Sequence, residues 1–212
     1  MTNAPPLTLA RVAAAAYGPP DVRADGCEAV IRHVTASRPV LAFRGTTFDG
    51  AEILKDIVRD VRAWPAWEPG LGLVHLGFRR SLRAIWPKLW EEPWFYNNDL
   101  VLTGHSKGAA EATLVAARMV VEDLRPRALV TFGSPRCVLG GRVARLLAGA
   151  GVVVRRYRHG RDIVPTVPCL GGLYDHVGAE INIGSPESGL DGPFHDHRMQ
   201  SYIDALKGDD HV

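Results

Sequence analysis

Residues 104–108 read Gly-His-Ser-Lys-Gly, and the serine at their centre has the setting of a nucleophile. A hydroxyl displayed at the tip of a sharp strand-to-helix turn crowds the residues two places to either side, so those places must lack side chains. Gly104 and Gly108 occupy them. A glycine-bracketed serine also serves ordinary tight turns, and the flanking sequence decides between the two. Asp99-Leu-Val-Leu-Thr precedes the turn as a buried-type strand. An Ala-rich run without Gly or Pro, to about residue 121, follows it as a helix. That helix aims its N-terminal amides and dipole at the serine. A serine hydroxyl further needs a general base, and the base needs a partner that fixes its tautomer and stabilises its charge. Downstream of Ser106 the chain offers Asp162 and Asp175 as acids, and His176, His195 and His197 as bases.

The elements around Ser106 alternate. Short β-branched segments at Ala29–Val34, Pro39–Phe43, Leu100–Thr103, Leu129–Phe132, Val152–Tyr157 and Glu180–Ile183 read as strands. Helical patterns fall at 6–17, 50–62, 79–91, 106–121, 141–148 and about 197–207. Near-continuous apolar runs such as those around Val101, Val130 and Val153 are typical of strands covered on both faces. Alternation of this kind predicts a mostly parallel central sheet with helices on both faces, with the ligand site at the C-terminal ends of the strands. Residues 1–212 are expected to form one domain, since no repeat or linker divides them.

Composition narrows the partners. A net charge of +2, from scattered Lys and Arg, predicts no nucleic-acid partner. No apolar run approaches the roughly 20 residues of a membrane span, so no stable membrane insertion is expected. Cys27, Cys137 and Cys169 lie far apart, without metal-ligand spacing, and read as reduced thiols. With no signal peptide recognised, a cytoplasmic location is the expectation. His195-Asp196-His197 could form a metal pair but lacks a third ligand; no metal and no cofactor is expected.

Several segments, in order, resemble the class 3 (fungal-type) lipases of the α/β-hydrolase fold. They are Leu41-Ala-Phe-Arg-Gly-Thr46, Val74-His-Leu-Gly-Phe78, the Ser106 turn, Thr131-Phe-Gly-Ser-Pro135, Asp162-Ile-Val-Pro165 and His197-Arg-Met-Gln-Ser-Tyr202. Lys107 and Ala109 depart from the Leu and Gly usual there, and the stretch after Asp162 is short. The resemblance implies a serine hydrolase that cleaves carboxylic, acyl-lipid esters through a Ser-His-Asp triad and an acyl-enzyme, in the chain order serine, acid, base. An acyltransferase on the same triad and a non-catalytic binding module on the same fold are the alternatives.

Within that frame Asp162 follows a strand directly and takes the acid's place, while Asp175 lies off a strand end. His176 falls in a segment that the resemblance does not make catalytic. His197 lies off the apolar stripe Met199, Tyr202, Ile203, Leu206 and matches the motif, whereas His195 would extend that stripe by a turn. His197 is the preferred base and His195 the alternative. The oxyanion donors implied are the amides of Lys107 and Thr46, with Asp60, or else Asp56, bracing Thr46. Residues 50–62 put Ile53, Leu54, Ile57, Val58 and Val61 on one face. This segment is either a lid that opens at a lipid surface, giving a transient lipid contact, or a fixed amphipathic helix. Of Trp64, Trp67, Trp86, Trp90 and Trp94, at least half are expected in the core. The Lys107 side chain is expected in solvent, attraction of an anionic head group being the alternative.

Overall fold

The computed structural model describes residues 4–35, 38–46, 64–169 and 172–209. Its main sheet has seven strands in the order β1-β2-β3-β6-β7-β9-β11. They are β1 (Val22–Ala24), β2 (Cys27–Thr35), β3 (Arg38–Phe43), β6 (Val101–His105), β7 (Ala128–Phe132), β9 (Val153–His159) and β11 (Glu180–Ile183). From β3 to β11 all neighbours are parallel, and β1 and β2 add an antiparallel edge.

Alternation along these strands feeds two apolar layers. Leu41, Leu102 and Leu129 face a core with helices α2 (Leu76–Trp90), α3 (Lys107–Val121) and α4 (Arg142–Gly149). Their sequence neighbours Val40, Val101 and Val130 face the other side, under α1 (Pro6–Ala15) and α6 (Met199–Asp209). The mostly parallel sheet with helices on both faces is therefore present. Helix α5 (Gly192–His195) is a single turn leading to His197.

A second, four-stranded antiparallel sheet was not expected. It runs β10-β8-β5-β4, from β4 (Pro65–Glu68), β5 (Gly72–His75), β8 (Val138–Leu139) and β10 (Tyr174–Asp175). The tryptophans correct a further expectation. Only Trp86 and Trp94 pack against the core, while Trp64, Trp67 and Trp90 are exposed. Trp67 lies on the outward face of β4, and Trp90 is the last residue of α2, where its ring meets only Trp86 and Tyr96 among the aromatic rings of the described residues. Among the described residues no helix is long and apolar enough to cross a membrane. The 50–62 segment, with Asp56 and Asp60, lies outside the described residues.

Candidate active site

Strand β6 is buried along its whole length and delivers Ser106 at φ 57°, ψ −131°. A non-glycine residue in that region carries of order 1–3 kcal/mol of strain, which the surroundings must overcome. Here the amide of Ser106 donates to the Phe132 carbonyl at 3.0 Å, and its own carbonyl accepts from Ala109 N at 3.0 Å. The two bracketing glycines are required by contact. A Cβ on Gly104 would strike the backbone of Gly108, and a Cβ on Gly108 would strike the Phe43 carbonyl.

The structure brings the three predicted side chains together from three different segments. Ser106 Oγ lies 2.9 Å from His197 Nε2, and His197 Nδ1 lies 2.8 Å from Asp162 Oδ2. With the ring proton on Nδ1, facing the carboxylate, Nε2 is left to accept the serine proton. All three residues are buried. Asp162 leaves the end of β9, and its Oδ1 accepts from Val164 N at 2.9 Å while Oδ2 also accepts from the Tyr202 hydroxyl. Burial opposes ionisation of Asp162. The His197 charge and the bonds from His197, Tyr202 and Val164 together outweigh it and hold the carboxyl below its usual range. His195, the alternative base, is exposed at the end of α5 and does not pack as its place on the stripe implied. Asp175 sits in β10, and the His176 ring bonds the Pro165 carbonyl at 2.7 Å.

Four supports were not read from the sequence. Tyr202 appeared as part of an apolar stripe and as the end of a family-like segment, with no role for its hydroxyl, which reaches the acid. Gly133, at φ 56°, passes so close that a Cβ there would come 2.7 Å from Asp162 Oδ2 and 3.0 Å from His197 Nδ1. Asp196, fully buried beside His197, accepts from Arg161 N at 2.7 Å and Glu187 N at 3.0 Å. His105 stacks on His197 with ring centroids 4.6 Å apart, and its Nε2 donates to the His197 carbonyl at 2.8 Å. Its Nδ1 accepts from Tyr17 at 2.7 Å. Burial, and then the His197 charge, push the pKa of His105 down to about 3, so it stays neutral beside the reacting imidazole.

The implied oxyanion residues also converge. Lys107 begins α3, so its amide is one of the helix's unpaired N-terminal donors. Thr46 and Lys107 line one cleft, and Gly45 presses on Ser106 so closely that a Cβ there would lie 3.2 Å from the serine Cβ. The Lys107 side chain does not simply extend into solvent. Its Nζ donates to the Gly26 carbonyl at 2.5 Å and lies 2.7 Å from Glu111 Oε1, whose carboxylate is wholly buried. The charge of a buried carboxylate one helical turn away is the physical reason.

This sheet and this serine-centred triad of side chains define an α/β-hydrolase. The chain matches the family described as Lipase (class 3) over residues 40–171, and it belongs to that family. It is 33% identical over 168 residues to a secreted mono- and diacylglycerol lipase A of Penicillium cyclopium, an alignment covering 73% of this chain and 50% of that one. The chain thus spans about half the length of this curated relative. Two solved structures share the fold. A triacylglycerol lipase with a serine-protease triad superposes with TM-score 0.68 at 21% identity, covering 84% of this chain and 78% of its own. A lipase from Rhizopus microsporus var. chinensis gives TM-score 0.67 at 23% identity, covering 84% and 73%.

Proposed function

We infer that the protein hydrolyses carboxylic esters of acylated alcohols, with Ser106 as nucleophile, His197 as general base and acid, and Asp162 as the carboxylate that orients the imidazole. The observation that carries this reading is the continuous path from Ser106 Oγ through His197 to Asp162, at 2.9 and 2.8 Å. His197 Nε2 takes the serine proton as Oγ bonds to the ester carbon, and the carbonyl π electrons move to oxygen. The amides of Lys107 and Thr46 receive that oxyanion, each such donor contributing about 3 kcal/mol. As the carbonyl re-forms, the bond to the alcohol breaks, and the proton on His197 goes to the departing alcohol oxygen. A water then repeats the sequence on the acyl-enzyme, giving its proton to His197, which returns it to Ser106 as the carboxylic acid leaves. No cofactor takes part in these steps.

Substrate presented at a lipid surface is part of the proposal, with the exposed Trp64 and Trp67 as rings suited to such an interface. A fluorophosphonate probe tests the chemistry: wild type is expected to label and Ser106→Ala not to. Absence of labelling in correctly folded wild type would remove the reading. Rates for a short-chain ester followed across its solubility limit test the surface contact, which predicts a jump at the limit.

A further inference from the structure

Helix α3 carries a single acid, Glu111, and buries it. The side chain has no exposure, and its neighbours Ala109, Ala110, Ala112 and Leu114 are buried with it. For stability alone an apolar residue would serve as well there, because a buried ion pair gains little over the water it gives up. Glu111 is instead the hub of a polar cluster between three elements. Its Oε1 lies 2.7 Å from Lys107 Nζ. Burial raises its carboxyl, and Lys107, Ser81 of α2 and Cys27 of β2 each act against that rise. The same Lys107 ammonium donates to the Gly26 carbonyl at 2.5 Å. Gly26 and Cys27 close the hairpin of β1 and β2, in which Ala24 pairs with Cys27. Residues 107 and 111, one helical turn apart, thus fasten α3 to two consecutive residues of that hairpin.

The fastened turn is the one that reacts. Lys107 directly follows Ser106, whose φ of 57° needs outside support, and the Lys107 amide is one of the two donors assigned to the oxyanion. Backbone bonds hold the serine itself, and the Lys107 side chain holds the residue after it. An oxyanion donor acts by being in place beforehand, and a displacement of about 1 Å costs up to about 10²-fold in rate. We propose that Lys107 and Glu111 are positioning residues for ester cleavage, the clamp from Glu111 through the Lys107 side chain to the β1–β2 hairpin fixing the Lys107 amide where the oxyanion forms. The proposal rests on the ester-hydrolase reading above. It gives a role to the lysine that stands where the family usually has leucine.

Stability and positioning part company in the double variant Lys107→Met with Glu111→Leu, which strands no charge. Its melting temperature should stay near that of wild type, while kcat for p-nitrophenyl butyrate falls about tenfold and KM stays within about twofold. A trifluoromethyl ketone reads the oxyanion itself, because its adduct with Ser106 places a negative oxygen at the same donors. Its affinity should weaken by about the factor lost in kcat/KM. Glu111→Gln keeps the shape of the side chain and weakens the hold on Lys107, so it carries the test if the double variant does not fold. It should lower kcat about threefold at unchanged KM. Arg118 pairs with Glu122 farther along the same helix, and Arg118→Met with Glu122→Leu is the comparison that should leave kcat and inhibitor affinity unchanged. Wild-type kcat and inhibitor affinity in the folded Lys107 and Glu111 variants overturn the proposal. So does an equal loss in the Arg118 comparison, which would mark a general loosening of the helix. Fluorophosphonate labelling of wild type separates the two levels. Wild type that labels while the variants keep full kcat loses the clamp alone, whereas wild type that fails to label loses the hydrolase reading.

Discussion

The Tyr202 hydroxyl donates to Asp162 Oδ2 at 2.5 Å, the same oxygen that accepts from His197 Nδ1 at 2.8 Å. The acid is therefore held by helix α6 as well as by its own turn. Tyr202→Phe removes one of three donors from a buried carboxylate, a loss of about 1.5–3 kcal/mol in stability. We expect kcat to fall about tenfold with KM little changed, since the remaining donors fix the carboxylate less firmly. Because the folded pKa of Asp162 rises in the variant, the stability it contributes should be lost at higher pH on acidification. Urea unfolding over a pH series and steady-state kinetics measure both effects; an unchanged kcat would show that Val164 N and His197 suffice.

Gly133→Ala should damage the same place from the other side. The new methyl would meet Asp162 Oδ2 at 2.7 Å, and the backbone at φ 56° costs a side chain roughly 1–2 kcal/mol. Loss of fluorophosphonate reactivity by more than about tenfold is expected, with melting temperature lowered by a few degrees. Wild-type reactivity in this variant would mean that β7 can move away from the triad.

The Lys107–Glu111 pair predicts a non-additive result. Lys107→Met strands a buried carboxylate and should destabilise by about 3 kcal/mol. The double variant Lys107→Met with Glu111→Leu removes the stranded charge and should recover most of that loss. Denaturant midpoints of wild type, both singles and the double give the coupling directly, and additive effects would argue against a real pair.

Burial depresses three histidines: His75 to about 4, His105 to about 3 and His176 to about 4, against an ordinary value of 6.5. Between those values the unfolded chain binds protons that the folded chain does not. Stability should thus be complete above about pH 6.5 and decline steadily as pH falls toward 4. Thermal unfolding across that range measures the slope. His75→Phe should flatten it by one proton's share, and a slope indifferent to the substitution would show that His75 takes up its proton equally in both states.

The nucleophile and its strand were legible because glycine spacing and a continuous apolar run are local signals. Asp162 was legible because it leaves a strand directly. The base was narrower than it looked: periodicity ranked His195 and His197, but only the path of the chain through α5 turns one inward and the other to solvent. Tyr202 satisfied the apolar stripe, and a stripe carries no information about what a hydroxyl meets. Glu111 did leave a trace, four residues after Lys107 in an otherwise small-residue helix, the spacing of an ion pair. The second sheet left almost none. Strands of two residues, such as Val138–Leu139 and Tyr174–Asp175, pair only with distant segments and have no period to detect. His105 and Tyr17 meet across 88 positions, beyond any spacing rule.

Asp196 receives the amide of Arg161 one residue before Asp162 bonds His197, so two successive rungs join the same two strands of chain. Residues 163–195 thereby form a loop stitched shut at its base. Between the two rungs β10 and β11 are tied into the two sheets, but the exposed turn at 188–190 is not, so a longer segment there can reshape the rim without disturbing the spacing between carboxylate and imidazole. Such an insertion should leave the reaction intact and change only what reaches it.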